Sequence, residues 1–188
     1  MVADAVLNLL LHGNQLKRTA RTGWRQRGVA AGEDVAAHTY GAAFVALVLA
    51  ELLDEPVDRA RLLAMVILHD LPEGLTTDIP SPAWQFLPAG IKTDVERGAM
   101  QTILGEAPFK ADWMAWWEEL HANVTTEARL VHDADRLDMY VQALVYEQQT
   151  GNQQLAEFWE TPAVMEFPIS QTLYNTLRQR RRAELGRK

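Results

Sequence analysis

One run of residues restricts the fold more than any other. From Val35 to Leu53, the side chains of Val35, Phe44, Ala46, Leu47, Val48, Leu49, Leu52 and Leu53 make a helix apolar on nearly every side. A helix without a polar face is covered by other elements, so the pattern predicts the central rod of a helical bundle. Asp34 or Gly32 is placed to cap it, and Asp54-Glu55-Pro56 ends it. Strand alternation is almost absent from the rest of the chain.

The other segments read as further helices. Val2 to Leu11 is apolar on most faces, and Gly13 to Gly32 is an irregular loop with short helical pieces. Val57 to Asp70 carries Leu62, Leu63, Met65, Val66, Ile67 and Leu68 as its expected buried set. Pro72 then forces a break and suits the start of a new turn. Asp78 to Pro88 holds Pro80, Pro82 and Pro88 and reads as a loop. Helices follow over Ala89 to Leu104, stopped by Gly105, and over Lys110 to His121, which holds Trp113, Trp116 and Trp117 as packing or dimer-face residues. Another begins at Thr125-Thr126 and runs to Thr150, where Gly151 ends it; Asn152 to Trp159 and Pro168 to Glu184 complete the set. With 188 residues, 48% of them hydrophobic, and no linker or repeat, the expectation is one all-α domain over residues 1–188, a bundle of roughly eight helices.

Charge and composition exclude several classes. The net charge of -7 argues against nucleic-acid binding. The basic residues collect at Lys17, Arg18, Arg21, Arg25 and Arg27 and again in a tail of Arg178, Arg180, Arg181, Arg182, Arg187 and Lys188, leaving an acidic middle suited to a cation. There is no cysteine, which removes disulfides, thiolate metal sites and cysteine nucleophiles and fits a cytoplasmic location. The longest uncharged apolar stretch, Ala42 to Ala50, falls short of the ~18 residues of a membrane span, and the N-terminus is a poor signal peptide. No membrane partner is expected.

The chemistry gathers at Val66-Ile67-Leu68-His69-Asp70-Leu71-Pro72-Glu73, followed by Asp78. An imidazole and carboxylate at a helix end suit a divalent ion and the water it activates. His38 lies inside the central apolar helix, where a lone histidine is ordinarily a hydrogen-bonded core residue. Asp135 sits one step off a buried stripe of Leu130, Ala134, Leu137 and Val141, where a lone aspartate is ordinarily solvated. Together they change the reading, because side chains on separate helices can converge in a bundle core. Two nitrogens and two oxygens suit Co, Mn, Fe, Ni or Zn better than Mg.

His38, His69-Asp70 and Asp135 resemble the H…HD…D signature of the HD-domain phosphohydrolases. Arg21-Thr22-Gly23-Trp24, Glu33-Asp34-Val35-Ala36-Ala37-His38, Thr77-Asp78-Ile79-Pro80, Asp133-Ala134-Asp135-Arg136-Leu137 and Gln142-Ala143-Leu144-Val145-Tyr146-Glu147 are similar to the YfbR-like 5′-deoxynucleotidases and their eukaryotic HD-domain relatives, over about residues 17 to 150. The resemblance implies a homodimeric hydrolase with one divalent metal, which removes phosphate from nucleoside 5′-monophosphates. It implies His38, His69, Asp70 and Asp135 as ligands, Glu73 and Asp78 as catalytic carboxylates, and Trp24 beside the nucleoside. Gly23 stands where the bacterial enzymes carry arginine; Arg21 can take over its role, as in the eukaryotic branch, with Arg18 a further phosphate contact. Glu73 would orient the water or protonate the leaving O5′; the ordinary alternative is an acidic residue in a helix first turn. Asp78 would bond the sugar or aid proton transfer; the alternative is a turn or cap. His121 and His132 are the only histidines between the His-Asp pair and Asp135, too few and too clustered for the usual two-metal arrangement. The competing functions are hydrolysis of another phosphoester and, in a different class, a non-catalytic nucleotide sensor.

Overall fold

The computed structural model describes residues 2–80, 83 and 86–185; Pro82 of the expected loop and Arg187 and Lys188 of the basic tail lie outside them. The α-helices are α1 (Val2–Gln15), α2 (Thr22–Gln26), α3 (Val35–Leu52), α4 (Arg59–Leu68), α5 (Glu73–Thr76), α6 (Ile91–Leu104), α7 (Lys110–Ala122), α8 (Thr126–Thr150) and α9 (Pro168–Leu185). Short 3-10 turns cover Leu16–Arg18 and Gln153–Trp159. No strand occurs among the described residues, only one antiparallel bridge between Ala20 and Asp34. The fold is all-α, as the sequence predicts.

α3 is the central element, packed on α8 and α4, which also pack on each other. Asp34 is its cap: the carboxylate accepts from the Ala37 N–H at 2.8 Å. The bridge at Ala20 and the Val35 N–H donating to the Thr19 carbonyl tie the 19–21 segment to the same end of α3. α8 begins at the Thr125 cap and ends at Gly151, whose φ of 65° lies in the left-handed region that glycine tolerates. α9 is fastened to α8 by a two-pronged ion pair from Arg181 to Glu147 (2.6 and 2.7 Å), so this part of the basic tail is structural.

Two expected burials fail. Ile67 is exposed on α4 and Val141 is exposed on α8. α3 is buried along Val35, His38, Ala42, Ala46 and Leu49 but leaves Phe44, Val48 and Leu52 open. Periodicity identifies an apolar face but cannot say whether the same chain covers it. By length and composition α3 would also pass for a membrane span, contrary to the sequence estimate; here it is the core rod against which α4 and α8 pack.

Candidate metal centre

The local chain explains how His69 and Asp70 come to face inward. α4 stops at Leu68, yet His69 keeps helical angles (φ -58°, ψ -46°). The chain then tightens: the Leu71 N–H reaches the Leu68 carbonyl and the Glu73 N–H reaches Asp70 (3.2 and 3.0 Å). Pro72 sits at the start of α5, where its missing N–H costs no helical bond. The result is one continuous corner with His69, Asp70 and Glu73 on its inner side.

The central helix brings His38 to that corner, and α8 brings Asp135. His38 Nε2 lies 3.4 Å from His69 Nε2, 3.0 Å from Asp135 Oδ1 and 3.7 Å from Asp70 Oδ2. His69 Nε2 is 3.1 Å from Asp70 Oδ2. Donor atoms of His38, His69 and Asp135 all lie within 4.8 Å of one another, a spacing that could hold one metal ion. Both outer ring nitrogens are engaged elsewhere. His69 Nδ1–H donates to the Val66 carbonyl (2.5 Å), and His38 Nδ1–H donates to Asp138 Oδ2 (2.8 Å). A carbonyl and a carboxylate only accept, so these contacts leave each Nε2 lone pair aimed at the common centre. That tautomer pair is the one a metal requires.

The electrostatics point the same way. Burial opposes a charge on His38, but its hydrogen bonds to Asp135 and Asp138 prevail and push it up to about 10. His69 is likewise raised, burial being overcome by Asp70. Burial would raise Asp70, yet His69, Arg21 and His38 hold it at about 2. Asp135 is also held well below the carboxylate range, against burial, by the bond and charge of His38. The ionised carboxylates supply the negative field that favours a cation, and the protons that this same field draws onto the imidazoles are those an ion would displace. Nitrogen and oxygen donors, fixed tautomers and negative field together fit a divalent ion.

Glu73 behaves differently from its neighbours. It is buried, and its Oε2 has no hydrogen-bond partner. Burial, then Asp70 and Asp78, push it up to about 9, with Arg21 and Lys92 pulling against them. Glu73 therefore carries a proton at neutral pH.

The remaining predicted residues separate into two groups. Arg21 reaches the centre and bonds Asp70 Oδ2 at 3.3 Å. Asp78 accepts from the Thr22 N–H (2.6 Å) and the Thr22 hydroxyl (3.1 Å), so it caps α2 from a distant loop. Trp24 is 2% exposed, gives its indole N–H to Glu33 (3.0 Å) and packs edge-on against Tyr146. Arg21, Trp24 and Asp78 line one cavity of about 190 Å³ with Arg27, Met139 and Phe158. Arg18 does not reach it: its guanidinium bonds Asn14 and Gln15 on its own exposed turn (3.0 and 2.7 Å). A second cavity of about 170 Å³ opens directly onto His69, Asp70 and Asp135 and is also lined by Lys92, His121 and His132. Sequence reasoning missed Asp138 and Lys92. Asp138 lies one helical turn after Asp135 on α8, a spacing that puts both on one face; Lys92 left no local signal.

The comparisons with known proteins agree with this geometry. The family model described as HD domain matches residues 13–171, and the chain belongs to that family. Within it, the chain is 33% identical over 159 residues to 5′-deoxynucleotidase HDDC2 of Danio rerio, covering 83% of this chain and 77% of the relative. The HDDC2 protein of Homo sapiens is also 33% identical, over 147 residues and 77% and 70% of the two chains. Among solved structures, the PH0347 protein of Pyrococcus horikoshii OT3 superimposes with a TM-score of 0.78 at 33% identity, covering 91% of this chain and 97% of that one.

Proposed function

We propose that this chain is a metal-dependent 5′-deoxynucleotidase, which hydrolyses the phosphate ester of deoxyribonucleoside 5′-monophosphates. The observation that carries the reading is the convergence of His38 Nε2, His69 Nε2 and Asp135 within 4.8 Å, with both outer ring nitrogens already committed. Relatives named 5′-deoxynucleotidase supply the substrate class.

His38, His69, Asp70 and Asp135 would hold the ion; when bound, it supplies charge to neutralise a phosphoryl oxygen and to acidify a water. The protein groups do the rest. Arg21 adds a buried positive charge beside Asp70. Glu73 holds the proton that the leaving O5′ needs, and its partnerless Oε2 makes it the general acid. Asp78 and Trp24 shape the nucleoside side of the centre, Asp78 by fixing α2 and Trp24 as an apolar wall. The chain acts as a homodimer, a reading supported by the open apolar stripe of α3.

The test is phosphate release from a panel of deoxy- and ribonucleoside monophosphates and triphosphates, using protein loaded with Co, Mn or Zn. Turnover of deoxyribonucleoside monophosphates should be lost in His69→Ala and Asp70→Ala and fall at least about 100-fold in Glu73→Gln. Metal-loaded protein that is inert toward the whole panel sinks the proposal.

A further inference from the structure

The cavity of about 170 Å³ is not the one that Arg21 and Trp24 line; the two share no lining residue. Three of the four candidate ligands, His69, Asp70 and Asp135, form one wall of the 170 Å³ chamber. Lys92 and Glu96 from α6 and His121 from α7 line it as well. An oxyanion that meets the ion from this side occupies this space. Asp70, Asp135 and Glu96 all line it, so a phosphate dianion there needs positive charge from the chamber's own wall.

None of the basic run before α3 (Lys17, Arg18, Arg21, Arg25 and Arg27) lines this chamber. Arg18 is tied to Asn14 and Gln15, Arg27 is tied to Glu157 (2.9 and 3.2 Å), and Arg21 is engaged with Asp70. Lys92 is in the first turn of α6 and lines the chamber. Its ammonium is 3.5 Å from Glu96 Oε1, and Glu96 Oε2 is 3.8 Å from His121 Nε2. Glu96 thus lies between Lys92 and His121. His121 gives Nδ1–H to the Trp117 carbonyl (2.8 Å) and stacks on that indole at 3.7 Å, so only its Nε2 faces the chamber. His132 is different: its Nε2–H goes to the Leu120 carbonyl (3.1 Å), and burial lowers its affinity for a further proton. It is a neutral wall.

We infer that Lys92, with His121 beside it, is the oxyanion-binding wall of the chamber, holding the phosphoryl oxygens of the substrate and then the released phosphate. This rests on the phosphohydrolase reading above for its substrate but not for its ligand, since free phosphate presents the same oxygens. An ammonium has three N–H donors on a flexible stem, which suits a point contact to a tetrahedral anion.

Inorganic phosphate is the probe. Calorimetric titration into the Co-loaded protein should show saturable binding that Lys92→Met weakens about tenfold, the value of one charge-assisted bond. Lys92→Arg should retain affinity within about threefold. Bound cobalt, counted per chain, should be the same in all variants, which excludes a damaged ion site. Lys92 is 52% exposed, so Lys92→Met should fold, and Lys92→Arg covers the case in which it does not. Unchanged phosphate affinity in Lys92→Met, or no phosphate binding by the parent protein, overturns the inference. The two readings fail separately. Phosphate binding that depends on Lys92, in a protein that hydrolyses no nucleotide, removes the nucleotidase reading and leaves the oxyanion wall standing.

Discussion

His38 has to satisfy opposite demands at its two nitrogens, and the residue that reconciles them is Asp138. The carboxylate accepts from Nδ1–H at 2.8 Å and so keeps the Nε2 lone pair for the centre. Gly41, on the next turn of α3, makes this possible: a Cβ there would collide with the Asp138 carboxylate. Asp138→Asn can present an N–H to the ring and reverse the tautomer, as happens when an orienting aspartate is replaced by asparagine elsewhere. Cobalt affinity, measured by titration, should fall about 10- to 100-fold, and Gly41→Ala should move it in the same direction by displacing the carboxylate. The same histidine sets a pH dependence. His38 is pushed up from 6.5 to about 10, so an ion must displace a proton, and cobalt affinity should rise about tenfold per pH unit between those limits. For the metal-free fold the sign is opposite. The raised His38 contributes stability that is complete below its ordinary 6.5 and is lost as pH climbs through about 10. Glu73, raised from 4.5 to about 9, also binds more protons folded than unfolded in that window. Thermal melts in EDTA should therefore show a lower midpoint at pH 9.5 than at pH 6.5, with divalent metal narrowing the gap.

α2 shows how an element far from the ligands is held to them. Its own N-cap position, Arg21, makes no side-chain cap, and Asp78 takes that role from across the fold. To turn back toward α2, the chain places Thr77 at φ 62° and ψ 164°, an uncommon conformation for a β-branched residue. Asp78→Ala should cost about 1 kcal/mol in denaturant unfolding, the value of a lost cap. Because Arg21 and Trp24 flank Thr22, it should also raise KM for nucleotide more than it lowers kcat. What could be read beforehand follows from the same distinction. The His69-Asp70 corner, Pro72 and the Thr125 and Gly151 helix ends were legible because their signals are local to the chain. Asp78 as a cap for Thr22 was not, because the partner lies 56 residues away. Helical periodicity alone does not separate the two aspartates of His132-Asp133-Ala134-Asp135; the family signature does, by singling out Asp135. Both are acidic and adjacent to the buried stripe, yet Asp133 is fully buried and accepts from the Glu166 and Phe167 N–H groups (2.8 and 3.0 Å), anchoring the approach to α9. Only Asp135 faces His38.

The molecule as a whole leaves its most apolar helix half uncovered. Tyr40, Phe44, Val48 and Leu52 repeat every four residues along α3 and are 76%, 61%, 41% and 48% exposed. Exposed Val141 and Leu173 border this stripe, and with Phe44, Val48, Leu137 and Leu177 they line an apolar trough of about 320 Å³. A straight row on one helix can meet its own image across a two-fold axis, which is the simplest way for a second copy to bury it. Burying each of these side chains is worth ~1.5–3 kcal/mol, so several together can outweigh the cost of association. A partner copy docked there would complete the apolar surround that the sequence predicted for α3. Sedimentation of the parent protein at micromolar concentration should give a dimer, and Phe44→Glu should give a monomer. His38 lies on the buried side of the same helix, so the variant should bind cobalt as the parent does. A monomeric parent protein, or a Phe44→Glu variant that remains dimeric, would place the contact elsewhere or remove it.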